Sequence, residues 1–181
     1  MSPVYAAVRQ GGARKATCRT ENRLSCPRLR STPENDETQM THHRIQQIFD
    51  ETGWVLADGA TGTNLFRAGL ETGYPPELWN VERPEDIAAL HNTFIDAGAQ
   101  LILTNSFRGT AHRLRLHGAE ARVAELNESA ARIARKAGDI GRDRHGHDIV
   151  VAGSIGPTGE LFAPMGALDH GEALAAFTAQ A

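Results

Sequence analysis

The stretch WVLADGATGT, residues 54–63, joins a short apolar run to an acidic residue and then to small residues. Residues 55–57 are typical of a buried β-strand, and Asp58 follows at its end. Gly59 and Ala60 leave the next backbone N–H groups accessible to a ligand because their side chains are small. An acidic side chain beside accessible N–H groups predicts a site for a ligand with both an ammonium and a carboxylate group.

The same arrangement occurs twice more along the chain. The apolar run 101–103 leads into Thr104 and Asn105, and the apolar run 149–152 leads into the glycine-rich segment 153–159. Helical patterns separate these runs, so a parallel α/β sheet with its strands buried on both faces is predicted. The polar strand ends are expected to share one face, as they do in a (β/α)8 barrel or in a doubly wound open sheet.

The helices are predicted from apolar spacing and from their end signals. Pro84 is expected to open a helix that Gly98 stops. His91 is expected on the surface of that helix, and His145 and His147 are expected in a solvated loop rather than in a metal site. The other predicted helices cover residues 45–50, 110–117, 120–137 and 171–181.

Composition narrows the class of protein. The 181 residues are 40% hydrophobic and 23% charged, as in a globular domain, and no run of 18 apolar residues predicts a membrane span. Residues 1–30 hold seven Lys or Arg and one acid, a charge of +6, so the remainder carries −3 − 6 = −9. An acidic body argues against a nucleic-acid surface.

The first 39 residues have a different character from the rest. They are rich in Arg, Ser, Thr and Pro, which predicts a disordered basic leader at 1–39 and a folded portion at 40–181. A transit peptide and a true translation start at Met40 are both compatible with this composition. Cys18 and Cys26, the two cysteines, lie in the leader, so no disulfide framework is expected and the cytoplasm is the default compartment.

Five motifs occur in a fixed order. They are DGATGT at 58–63, PELWN at 76–80, AGA at 97–99 with TNSF at 104–107, LN at 126–127 and VAGSIGPTG at 151–159. Together they resemble the homocysteine S-methyltransferase family over about residues 53–181. Bacterial betaine–homocysteine methyltransferases are especially similar, because their third-strand motif continues much like ELFAPMG at 160–166.

The resemblance implies a zinc-dependent (β/α)8 TIM barrel that transfers a methyl group to the thiolate of homocysteine and so gives methionine. This chain would hold the first three or so β/α units, and it looks truncated before the cysteines that bind zinc in the family. Alone it is expected to be inactive. Betaine is the expected methyl donor. The resemblance leaves open whether the protein forms a homo-oligomer.

The resemblance also implies roles for individual residues. Asp58 would pair with the homocysteine ammonium, and the amides of Gly59 and Ala60 would hold its carboxylate. Thr104 and Asn105 would line the pocket. The plainer interpretation of Asp58 is a cap on the turn after its strand.

Trp79 is the candidate contact of the methyl donor, because an indole face attracts a quaternary ammonium. A packing role is its plainer interpretation. Three alternatives to a betaine-dependent enzyme remain: the homocysteine module of cobalamin-dependent methionine synthase, an enzyme that uses S-methylmethionine, and a non-catalytic fragment.

We predict that residues 1–39 do not contribute to folding, because their composition cannot bury a core. A chain that begins at Met40 should melt within about a degree or two of the 181-residue chain, since surface changes alter stability by roughly 0.5 kcal/mol or less. Thermal unfolding followed by circular dichroism tests this. A fall of many degrees would contradict the disorder interpretation.

Overall fold

A computed structural model of the chain describes residues 44–181. The predicted leader, with Cys18 and Cys26, lies outside the described residues. The described part divides into two compact units, residues 44–55 and residues 56–181. The first contains one helix, α1, over residues 44–52, which covers the helix predicted at 45–50.

The second unit alternates helices with short strands. Its elements are α2 (Thr61–Arg67), α3 (Trp79–Glu82), α4 (Pro84–Asp96), β1 (Leu101–Leu103), α5 (Ala111–Arg115), α6 (Val123–His145), β2 (Val150–Ala152) and α7 (His170–Gln180), with 3-10 turns at Pro76–Leu78 and Glu120–Arg122. The α/β class predicted from the sequence is therefore present, as a small parallel sheet with helices packed against it. No helix within residues 44–181 is long and apolar enough to cross a membrane.

Strands β1 and β2 pair in parallel, with Leu101 opposite Val150 and Leu103 opposite Ala152. The strand predicted at 55–57 is reduced to a single parallel bridge between Ala57 and Leu101.

Side chains stop this ladder at both ends. At one end the N–H of Leu56 donates to the side-chain Oε1 of Gln100 at 3.1 Å. At the other end the N–H of Leu103 donates to a carboxylate oxygen of Asp58 at 2.9 Å. In a longer ladder both N–H groups would donate to backbone carbonyls of the neighbouring strand. The first strand is short because two side-chain oxygens replace those carbonyls as acceptors.

Helix α4 follows its predicted limits. Pro84 occupies its first turn, Ile87 and Ile95 are buried on its inner face, and Gly98 adopts a φ of 98° just beyond its end. Such a positive φ costs glycine little and other residues much, so the stop predicted at Gly98 has the expected physical cause.

Helix α6 extends eight residues past its predicted end at 137. Glycine in the added part of the helix faces the core: a Cβ on Gly141 would lie 2.6 Å from Cγ2 of Ile95. Close packing of α6 on α4 thus uses glycine inside the helix, and the helix ends at Gly146 with a φ of 75°. His145 belongs to α6 rather than to the predicted loop, and its Nε2 lies 2.9 Å from Asp96 Oδ1.

The main core lies between the sheet and helices α4 and α6. It contains Leu65, Leu70, Trp79, Ile87, Leu90, Phe94, Ile95, Ala99, Ile102, Ala134, Ala137 and Ile149. A smaller cluster, made of Leu78, Leu114, Ala119, Val123 and Leu126, packs the turn before α3 against α5 and the start of α6. These two clusters hold the carboxyl ends of the strands in place.

His91 is not on the helix surface, contrary to the sequence prediction. It is 1% exposed, and neither ring nitrogen has a hydrogen-bond partner among residues 44–181. Helix α4 packs against α2, α3, β1 and α6, so the face that looked solvated in the sequence is covered as well. Burial lowers the pKa of His91 to about 4.

Replacing His91 should make folding less sensitive to acid. The unfolded chain binds a proton at His91 near pH 6.5 whereas the folded chain does so near pH 4, so the wild type loses stability as the pH falls between these values. The loss attributable to this group is on the order of 3 kcal/mol. His91→Leu should remove that loss, measured by urea unfolding from pH 7 to pH 4.5.

The exposed His117→Leu is the matched control and should keep the wild-type pH profile. A His91→Leu profile that runs parallel to the wild type would show that His91 does not stay neutral in the folded chain.

Candidate functional site

A cleft of about 620 Å³ opens at the carboxyl ends of the parallel strands. Its walls come from the start of α2, from residues 72–77, from residues 103–108 after β1 and from Ser154 after β2. The polar strand ends share one face, as the sequence predicted, because parallel strands present their carboxyl ends to the same edge.

Asp58 lies beside this cleft and is bonded to one of the residues that line it. Its Oδ2 accepts the N–H of Leu103, a residue that lines the cleft, whereas its Oδ1 is buried and has no partner among the described residues. Burial raises the pKa of the carboxyl, and the hydrogen bond from Leu103 opposes this in part. The side chain thus bonds across to the neighbouring strand, and its second oxygen is buried without a hydrogen-bond partner within residues 44–181.

Gly59 and Ala60 connect Asp58 to α2. A Cβ on Gly59 would lie 3.0 Å from the ring of Phe94, which explains the need for a small residue there. Ala60 is the N-cap of α2 and provides no side-chain hydrogen bond to the first turn. The helix N–H groups at Thr61 and Gly62, which line the cleft, are therefore not capped by a side chain.

Thr104 holds the two strand ends together. Its Oγ1 accepts the N–H of Ser154 at 2.9 Å, while Ser106 Oγ donates to the carbonyl of Ser154 at 2.8 Å. The Ser106 proton is thus in use, so the 2.6 Å contact between the two hydroxyls must carry the proton of Thr104. Thr104 has no proton left for a ligand, and its main role is to position the cleft.

Asn105 is likewise engaged by the protein. Its Nδ2 donates to the carbonyl of Pro76 at 2.8 Å and to Oδ1 of Asn80 at 2.9 Å. Asn80 in turn donates to the carbonyls of Asn105 and Leu126. This buried amide pair fixes the segment after β1 to the turn before α3. Asn80 lies in the PELWN motif, next to apolar residues. A polar amide in an apolar stretch is the sequence feature that could have indicated a buried hydrogen-bonding role.

Trp79 is placed away from the cleft wall. It is 5% exposed and belongs to the main core, and the guanidinium of Arg83 covers its ring at 4.0 Å. This position favours packing. The aromatic residues that do line the cleft are Phe66, Tyr74 and Phe107.

Glu77 lines the cleft and was not singled out from the sequence. It is 2% exposed, and its Oε1 accepts the N–H of Arg108 at 2.8 Å. Its Oε2 is buried and has no hydrogen-bond partner within residues 44–181. Burial raises the pKa of this carboxyl more than the hydrogen bond and the nearby arginines lower it.

The described residues do not form a metal site of their own. Both cysteines of the chain lie before residue 44, and residues 44–181 contain no group of three or more His, Cys, Asp or Glu that could hold a metal ion. Thiolate ligands of the kind expected from the sequence resemblance are therefore not supplied by this part of the chain.

We predict that Asn80→Asp destabilises the fold. The substitution keeps the acceptor for Asn105 but removes both donated hydrogen bonds, and a buried group left unsatisfied costs about 1–3 kcal/mol. The free energy of unfolding from urea titrations should fall by roughly 2–4 kcal/mol.

Asn64→Asp is the matched control, since the Asn64 amide donates a single, exposed bond to the carbonyl of Ala60. Its effect should stay below about 1 kcal/mol. Equal effects of the two substitutions would contradict the role assigned to Asn80.

Comparison with known proteins agrees with this geometry. The sequence family described as homocysteine S-methyltransferase matches residues 55–181. Homocysteine S-methyltransferase of Escherichia coli (strain K12) is 31% identical over 126 residues, and homocysteine S-methyltransferase YbgG of Bacillus subtilis (strain 168) is 32% identical over 133 residues. Each alignment covers 66% of this chain and 40% of the relative.

Two solved structures of the homocysteine methyltransferase MmuM from Escherichia coli are similar to the fold. The oxidized form matches with a TM-score of 0.50 at 33% identity, over 57% of this chain and 37% of that one. The metallated form matches with a TM-score of 0.55 at 30% identity, over 63% and 41%. The chain spans about 40% of the length of the curated relatives it matches. Since the family match covers most of its residues, the chain belongs to the homocysteine S-methyltransferase family.

Proposed function

We propose that residues 56–181 form the homocysteine-binding part of a methyltransferase that converts homocysteine to methionine. The observation that carries this proposal is the buried, unpartnered Oδ1 of Asp58 at the end of a parallel strand pair. Family membership supports the activity, and the cleft beside Asp58 supports the assignment of the substrate to this edge of the sheet.

Asp58 would bind the ammonium of homocysteine. A half-buried carboxylate with one free oxygen gains a charge-assisted hydrogen bond when an ammonium group approaches. Its other oxygen stays bonded to Leu103, so the carboxylate is already oriented before the substrate arrives. Binding then costs little reorganisation of this side chain.

The carboxylate of homocysteine would meet the backbone after Asp58. Gly59 and Ala60 have small side chains, and the first turn of α2 has no side-chain cap. Backbone N–H groups in such a position favour an anion. A zwitterionic amino acid therefore fits across the segment from Asp58 to the start of α2.

The proposed enzyme is a (β/α)8 barrel, to which this chain would contribute its first units. Parallel strands, intervening helices and a site at the strand carboxyl ends are all typical of that fold. The similarity to the MmuM structures supports the same assignment.

Betaine remains the proposed methyl donor, and the aromatic residues of the cleft support it better than Trp79 does. Phe66 and Phe107 are about half exposed, so their rings are accessible to a cationic ligand. In the proposed reaction a bound zinc ion would keep the homocysteine sulfur deprotonated. The described residues supply no thiolate for that ion, so their part is to bind and orient the two substrates.

The test is homocysteine binding by the 181-residue chain, measured by isothermal titration calorimetry under reducing conditions. Asp58→Asn keeps the shape of the side chain but removes its charge. A charge-assisted contact is worth about 1.5–3 kcal/mol, so homocysteine affinity should fall roughly 10- to 150-fold.

Asp143→Asn on the exposed face of α6 is the control for lost charge and should leave the affinity unchanged. Unaltered homocysteine binding by Asp58→Asn, together with a lower melting temperature, would reduce Asp58 to a structural residue and refute the proposal.

A further inference from the structure

The cleft wall contains a carboxyl group, that of Glu77, which the binding of homocysteine at Asp58 does not use. Glu77 has one oxygen fixed by the N–H of Arg108 at 2.8 Å and one oxygen without a hydrogen-bond partner in the described chain. Both its burial at 2% exposure and its place in the cleft wall are properties of a built site rather than of a surface charge.

Neighbouring charged side chains do not compensate for the burial of the Glu77 carboxyl group. The guanidinium groups of Arg108 and Arg113 act on it through their electrostatic field, but their effect is smaller than the cost of burial. Burying a carboxylate with an unsatisfied oxygen is unfavourable unless a positive group or a donor compensates it. No protein group among residues 44–181 provides that partner, and the cleft that Glu77 lines is a place where a ligand could.

The surroundings of Glu77 favour an organic cation as that ligand. Phe66, Tyr74 and Phe107 line the same cleft, and the faces of aromatic rings attract cations whose charge is spread over methyl groups. A carboxylate beside aromatic rings combines charge with apolar contact. A small metal ion or a strongly hydrated cation would gain little from the rings.

We propose that Glu77 binds the positive charge of the methyl donor, which is therefore an onium ion held in the cleft by Glu77 and the aromatic residues. This assignment rests on the proposed function for the identity of the ligand as a donor. It gives the two carboxyl groups separate tasks, with Asp58 for the ammonium of homocysteine and Glu77 for the onium group.

The assignment has a consequence for the reaction. The homocysteine thiolate, its proton already released to solvent, uses a sulfur lone pair to form the new S–CH3 bond. The N–CH3 bond of the onium breaks, and its electron pair stays on nitrogen, which becomes a tertiary amine without a permanent charge. Glu77 thus attracts the donor more strongly than the neutral amine as it is first formed, before that amine takes up a proton from solvent.

The experiment compares two ligands of the same shape with the 181-residue chain. Glycine betaine carries a trimethylammonium group, whereas 3,3-dimethylbutanoate has a carbon atom in place of the nitrogen. The wild type should bind betaine at least tenfold more tightly in calorimetric or NMR titrations. Glu77→Gln keeps an amide oxygen for the N–H of Arg108 and should lower betaine affinity about tenfold, which corresponds to about 1.4 kcal/mol.

Controls separate charge from folding. Glu77→Gln should leave the weak binding of 3,3-dimethylbutanoate unchanged, and Glu85→Gln at the exposed start of α4 should alter neither ligand. Equal wild-type affinity for the two ligands, or an equal loss for both in Glu77→Gln, would overturn the proposal. The first comparison needs no variant, so equal wild-type affinity for the two ligands would overturn the proposal even if Glu77→Gln does not fold.

A homocysteine titration of the same samples distinguishes this proposal from the proposed function. Asp58→Asn should weaken homocysteine and spare betaine, while Glu77→Gln should do the reverse. Absence of homocysteine binding with betaine binding retained through Glu77 would refute the proposed function alone. Absence of betaine binding with homocysteine binding retained would refute the role of Glu77 alone.

Discussion

The N–H of Leu103 donates to the side chain of Asp58, at the point where a longer parallel ladder would use the backbone carbonyl of Asp58. This one bond ends the pairing of the first strand and frees the chain to turn into α2. It also places a carboxylate, with one oxygen unsatisfied, at the carboxyl edge of the sheet. The position of Asp58 beside the cleft is therefore a direct result of how the sheet is terminated.

Buried amides carry out the same task for the segment after β1. Asn80 and Asn105 bond to each other, Asn127 donates to the carbonyl of Gly109 at 2.9 Å, and Gln180 donates to the carbonyl of Ser106 at 2.6 Å. Backbone groups that lack a strand or helix partner thus obtain one from a side chain. Each bond contributes about 1 kcal/mol net, but leaving its partner unsatisfied costs more, so together they hold the cleft wall in one conformation.

Local signals explain what the sequence could predict about the fold. Pro84 and Gly98 bracket α4, and the apolar runs before Thr104 and Gly153 locate β1 and β2 to within a residue. The end of α6 could not be predicted from such local signals. Gly141 looks like a helix stop in sequence, and only its contact with Ile95 in another helix shows why glycine is needed there. His91 was misplaced for the same reason, because several elements cover α4.

Site residues that directly follow a strand could be predicted from the sequence. Site residues whose role depends on how the helices and turns pack together could not. Asp58 could be located from the strand that precedes it, and its proximity to the segment after β1 follows from parallel pairing. Trp79 and Glu77, two residues apart in one motif, show the limit of that reasoning. The aromatic residue faces the core and the acidic residue faces the cleft, a choice set by packing around the 3-10 turn at Pro76–Leu78.

Two desolvated carboxyl groups, that of Glu77 in the cleft wall and that of Asp58 bonded to the lining residue Leu103, give the proposed enzyme an electrostatic reason to bind cationic groups. Burial raises the pKa of both Asp58 and Glu77. Part of the free-energy cost of removing water from these carboxyl groups is therefore already included in folding, before any ligand binds. A bound cation lowers both pKa values again by pairing with the carboxylate. Substrate binding is therefore linked to proton release wherever the pH lies near those raised pKa values, and cation affinity increases as the pH rises through them. The same two groups that weaken the empty fold thus favour the occupied one.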